Sequence, residues 1–189
     1  MAPILGIMAS QISGHLWAPS GAYDSIATAN PSGTNTLTFS SIPQTYTHLQ
    51  IRFIARDNRA TNADYMNCYL NGDTASNYTN HYLYGNGSSA VSSTDNPSSS
   101  VVLMRATGTN QTANTYGAGI LDILDYTNTS KYKTTRQLGG YEDNSTGLLY
   151  LVSALWRNTN AISSITITTG VGTSFDSYTQ IALYGIKGN

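Results

Sequence analysis

Asp122 and Asp125, in "GILDILDY", are the closest pair of acids on a segment patterned for regular structure. A glycosidase needs two carboxyls facing each other across a cleft, about 5 Å or about 6.5–9.5 Å apart. On an extended strand a spacing of three sends the two side chains to opposite faces, so this pair reads as turn or edge solvation. Glu142 and Asp143, in "GGYEDNSTG", are adjacent and diverge; they read as loop carboxylates, with calcium coordination as a remote option. His15, His48 and His81 fall outside the HxH and HExxH spacings that hold zinc. There is no G-x-S-x-G, and no glycine pair carries a P-loop lysine. Five N-x-[ST] triplets begin at Asn77, Asn86, Asn110, Asn128 and Asn144. Roughly four are expected by chance at this Asn, Ser and Thr content, so they carry no argument about glycosylation. The chain therefore reads as a non-enzyme with no metal and no cofactor.

Aromatic side chains offer another chemistry. Tyr78, Tyr82 and Tyr84, in "NYTNHYLYGNG", alternate along one strand, and Trp156 ends another. Tyr and Trp beside Asn and Asp can stack on sugar rings, which makes these tyrosines candidate glycan contacts. The competing expectation is that they line a core with their hydroxyls at its edge.

The elements that would carry these residues are strands. Charged residues make up only 10% of the 189, whereas hydrophobic residues make up 40% and tyrosine alone occurs 14 times. Thr, Tyr, Val and Ile suit strands, and Gly, Asn and Ser suit turns. "THLQIRFIAR" alternates most cleanly, with Leu49, Ile51, Phe53 and Ala55 on one side and His48, Gln50, Arg52 and Arg56 on the other. Asn71-Gly72 lies between two strand-like runs and predicts a two-residue hairpin with "YTNHYLYG" as the returning strand. Residues 85–100, "GNGSSAVSSTDNPSSS", read as a long exposed loop. "GILDILDY" has apolar residues at helical spacing, but its neighbours are poor helix formers and it reads as a strand. About ten strands result, with no convincing helix, and predict a single β-sandwich or jelly-roll-like domain over residues 22–189. Cys68, the single cysteine, cannot form an intrachain disulfide and reads as a small buried strand residue.

With nine basic and ten acidic residues scattered along it, the chain has no basic stripe, which speaks against nucleic-acid binding. The apolar residues of its first segment are too interrupted for a signal peptide or a membrane span. That segment, "MAPILGIMASQISGHLWAPSG", forms an arm over residues 1–21. It carries Ile4, Leu5, Ile7, Met8, Ile12, His15, Leu16 and Trp17. A β-domain starting near Ala22 does not need these side chains for its core. One expectation is that they bind a groove on another subunit, where each large side chain contributes about 1.5–3 kcal/mol before ordering costs. The other is that the arm folds back over its own sheet edge.

"PILGIMASQISGHLWAPSGAYDSIATA", "FSSIPQTYTHLQIR", "ILDYTNTSKYKTTRQLGG" and "QIALYGIKG" resemble segments of structural proteins of tailed bacteriophages, especially cyanophages and marine phages. The resemblance is weakest at the serine-rich stretch near residue 90. It implies a virion component made in the host cytoplasm: a β-rich, trimeric decoration or appendage module. Its implied partners are copies of itself and the major capsid protein or other virion subunits. It supplies no catalytic residues. A capsid decoration (cement) protein anchored by the arm is the first expectation, and a tail or head fibre domain binding host glycans the second.

Overall fold

A computed structural model describes residues 21–144 and 146–188. They form twelve strands: β1 (Tyr23–Ala29), β2 (Thr36–Phe39), β3 (His48–Ala55), β4 (Ala63–Leu70), β5 (Tyr78–Gly85), β6 (Ala90–Ser98), β7 (Val101–Thr107), β8 (Gly117–Ile123), β9 (Lys133–Glu142), β10 (Gly147–Trp156), β11 (Ile165–Thr169) and β12 (Gln180–Ile186). No helix occurs among the described residues. The strands build two antiparallel sheets, one of eight strands in the order β1-β12-β3-β8-β9-β10-β5-β6 and one of four in the order β2-β11-β4-β7. The all-β sandwich read from the sequence is the fold.

Period-two alternation accounts for the core. Leu49, Ile51, Phe53 and Ala55 point inward from β3, as predicted, to meet Met66, Cys68 and Leu70 of β4 and Ile165 and Ile167 of β11. Ile181 and Leu183 of β12 and Leu121 and Ile123 of β8 complete the layer between the sheets. Cys68 is a buried thiol whose pKa burial pushes up to about 12, so it is a packing residue. "GILDILDY" forms β8 and then a turn at Asp125, where φ is +47°.

Three expectations need correction. Residues 85–100 are not a long loop, because β6 pairs with β5 from Ala90 to Ser98. It is an edge strand whose exposed Ser and Thr side chains give no apolar alternation to read, and polar edges of this kind resist pairing with other chains. Asn71 and Gly72 do adopt positive φ, +53° and +68°, but they close no hairpin. Strand β4 lies in the four-stranded sheet and β5 in the eight-stranded one, so this turn carries the chain across the sandwich. Gln50 and Arg56, placed on the polar side of β3, are buried. Gln50 donates to Asp122 at 2.7 Å, and Arg56 donates to the carbonyls of Gln111, Thr112 and Thr115 at 2.9–3.1 Å.

The two sheets differ in width, and this difference builds the sites described next. The edge strand of the smaller sheet, β7, packs across β8, β9, β10 and β5. A second apolar cluster of Met104, Tyr150 and Val152 forms there, flanked by Tyr82, Tyr84, Val102 and Leu148.

Candidate functional site

Tyr78, Tyr82 and Tyr84 share the inward face of β5, yet the structure separates them. Tyr78 is fully buried and belongs to the main core. Its ring stacks on Trp156 with centroids 6.3 Å apart, and its hydroxyl donates to the Asp73 carbonyl at 2.9 Å and accepts from the Leu70 amide at 3.1 Å. Trp156 is equally buried and donates to Asp73 Oδ2 at 2.8 Å. Neither ring can meet a sugar, so for these two the core expectation holds.

Tyr82 and Tyr84 lie farther along β5, packed against the second cluster, and both are half-buried. They line a cleft of about 460 Å³ together with Tyr150 and Leu148 of β10, Tyr141 of β9 and Arg105 of β7. Register builds it: Tyr84 sits opposite Tyr150 on one side and Val91 on the other. The Tyr84 and Tyr150 rings stack at 5.2 Å, and the Arg105 guanidinium lies 5.3 Å from the Tyr150 centroid. Arg105 Nε donates to the Tyr150 hydroxyl at 2.9 Å, which fixes the plane of the fork. Burial raises the Tyr150 hydroxyl pKa even with Arg105 beside it, so Tyr150 stays a neutral phenol. A second depression of about 360 Å³, containing Asp95, adjoins the first across Tyr82 and Arg105. Such a mixture of ring faces and a few fixed polar groups is what small-molecule sites use.

The opposite face of the wide sheet carries a feature that the sequence reading missed. Ile120, Leu138, Leu151 and Leu83 stand directly opposite one another across β8, β9, β10 and β5. All four face solvent, at 39% to 51% exposure. Leu149, the most exposed aliphatic among the described residues at 60%, and Ile54 extend the patch in the next row, with Ala118 and Gly140 between them. Beside this ridge runs a polar row of Gln50, Asp122, Arg136, Ser153 and His81, and a depression of about 710 Å³ lies between the two. The signal was present in "LLYLVSALW", where Leu149 and Leu151 alternate out of phase with Tyr150 and Val152 and make both faces of β10 apolar.

A buried carboxylate pair was also overlooked. Asp57 and Asp64, 1% and 0% exposed, sit under the loop at residues 171–174. Burial and the hydrogen bond with Asp64 raise the Asp57 pKa to about 7. Burial acts to raise Asp64 too, but the Gly172 and Val171 amides and the Arg59 guanidinium outweigh it and hold that carboxyl below the ordinary range. Two carboxyls pushed apart in this way can form an acid–base pair. Here both are sealed from solvent and bind their own loops, which makes them a staple. Asp122 lies on the outer face of β8, whereas Asp125 binds Lys131 in the turn, and they do not face each other across a cleft. No cluster of three or more His, Cys, Asp or Glu suited to a metal ion occurs among the described residues.

Ile4, Leu5, Ile7, Met8, Ile12, His15, Leu16 and Trp17 lie outside the described residues. A scan against protein-family models gives no match, and a search of curated proteins gives none either.

Proposed function

We propose that this chain is a structural subunit of a tailed-phage virion, a decoration protein that binds the assembled capsid shell through its N-terminal arm. The exposed aliphatic ridge of the eight-stranded sheet is the observation that carries this reading. Monomeric proteins rarely leave contiguous apolar patches open, and large ones mark association surfaces. The ridge packs against a neighbouring copy of the chain in a homotrimer. Eight strands about 4.8 Å apart and roughly 25–30 Å long present enough area for the ~800 Å² per partner of a stable interface. Ile4, Leu5, Ile7, Met8, Ile12, Leu16 and Trp17 form the latch, with His15 at its end, and the β-domain is the outward knob. A subunit that binds only the assembled shell stabilises it by mass action, by about 2.7 kcal/mol at a hundredfold excess over Kd.

The sandwich is read more finely as a jelly roll. The order β1-β12-β3-β8 facing β2-β11-β4-β7 supports this, because the chain passes between the sheets at most of its connections. On that reading, β5–β6 and β9–β10 are hairpins added to one edge. A second function, a fibre domain that binds host surface glycans, is favoured by the cleft at Tyr82 and Tyr84.

Adding the full chain to particles that lack it tests the first reading. Raised thermal stability of the shell, with the chain imaged in many copies on its outer surface, is the expected result. Density confined to a few copies on an appendage would favour the fibre reading, and no association with particles would refute both.

A further inference from the structure

We infer that the cleft between β5, β7 and β10 binds a carboxylate-bearing sugar residue, with Arg105 taking the carboxylate and Tyr82 and Tyr84 flanking the ring. The inference rests on the glycan reading above and names its ligand class.

The cleft, at about 460 Å³, is the size of a small-ligand site. No Asp or Glu lines it. Arg105 has no carboxylate within 4 Å among the described residues. Its Nε is occupied by the Tyr150 hydroxyl, whereas its two terminal nitrogens have no hydrogen-bond partner among those residues. Tyr150 therefore holds a half-buried guanidinium at a set angle with its two-pronged end free. That geometry matches a carboxylate accepting two parallel N–H bonds. Desolvated by the surrounding rings, the charge is screened less than at an open surface. The half-exposed Tyr82 and Tyr84 offer ring faces for the C–H side of a pyranose. Ser92, Ser93 and Asn62 on the rim supply hydroxyl and amide groups for its oxygens. Asp95 shares the adjoining depression with Arg105 but lies more than 4 Å from its guanidinium nitrogens.

Calorimetric titration of the full chain with a uronic-acid trisaccharide and with its neutral hexose counterpart tests this. The acidic sugar is expected to bind about tenfold or more tightly than the neutral one, the worth of a charged hydrogen-bonded pair. Arg105→Gln should remove that preference, so that the two sugars bind alike, whereas Tyr82→Ala should weaken both and keep the preference. Arg105→Lys keeps the charge but not the fork and should fall between. Circular dichroism melting of each variant identifies any that fails to fold, and if Arg105→Gln does, Arg105→Lys carries the comparison. Equal binding of the two sugars would overturn the carboxylate inference and leave glycan recognition standing. Absence of binding by either would overturn both.

Discussion

Lys133 and Asp57 are charged residues at the interior of a sandwich, and each is held differently. Lys133 is fully buried, and its ammonium donates to the carbonyls of Asn128, Lys131 and Thr159 at 2.6–3.1 Å. Burial lowers its pKa, while three acceptors satisfy its three protons. Asp57 is less well served. Oδ1 accepts the Arg59 amide at 3.1 Å, but no donor reaches the buried Oδ2, and the carboxyl bonds to Asp64 only while it carries a proton. Its pKa is raised from 3.8 to about 7, so the folded protein keeps a proton that the unfolded chain releases over that interval. The resulting stability is complete below about pH 4 and is lost as pH rises through 7. Asp57→Asn, neutral and nearly the same shape, should flatten this slope. At pH 8 the variant should be more stable by on the order of 1–3 kcal/mol, the penalty of an unpaired buried polar group. Scanning calorimetry between pH 4 and pH 8 measures it, and parallel melting curves for the two proteins would refute it.

Strand β10 shows how one element serves two surfaces. Tyr150, Val152, Ala154 and Trp156 face inward, and Leu149 and Leu151 face out. Alternation identifies the strand but does not say which of two apolar faces is covered, since that depends on what packs above it. The ridge takes one aliphatic from each of four strands, and one of its three pairings, β10 with β5, joins strands that are not consecutive in the chain. If it joins copies of the chain, Leu138→Asp with Leu151→Asp should abolish self-association. The monomer itself should lose no more than about 1 kcal/mol, since both positions are half-exposed. Light scattering coupled to size-exclusion chromatography reads the outcome. A wild-type chain that is already monomeric at high concentration would remove the ridge from the assembly reading.

At the scale of the whole molecule, the main core among the described residues draws on every part of the sandwich from Ile26 to Leu183. Strand β1 begins at Tyr23 and pairs with β12 along its length. Deleting residues 1–17 should therefore leave a folded β-domain whose melting temperature stays within a few degrees of the full chain. If the chain decorates a shell through its arm, the truncated protein should no longer raise the stability of that shell. A truncation that unfolds would place the arm within its own domain's core instead.

Much of this was legible from the residues alone. The all-β class, the inward face of β3, the burial of Cys68 and about ten of the twelve strands follow from period-two alternation and turn chemistry, which act over a few neighbouring residues. The polar edge strand β6 escaped because its pairing with β5 leaves no apolar trace in its own side chains. The division of Tyr78 from Tyr82 and Tyr84, the aliphatic ridge, the Arg105 fork and the Asp57–Asp64 staple were decided by the tertiary structure. Local pattern sets how a strand alternates, but whether a face is covered depends on which distant strand crosses it, and here an eight-stranded sheet outruns its four-stranded partner.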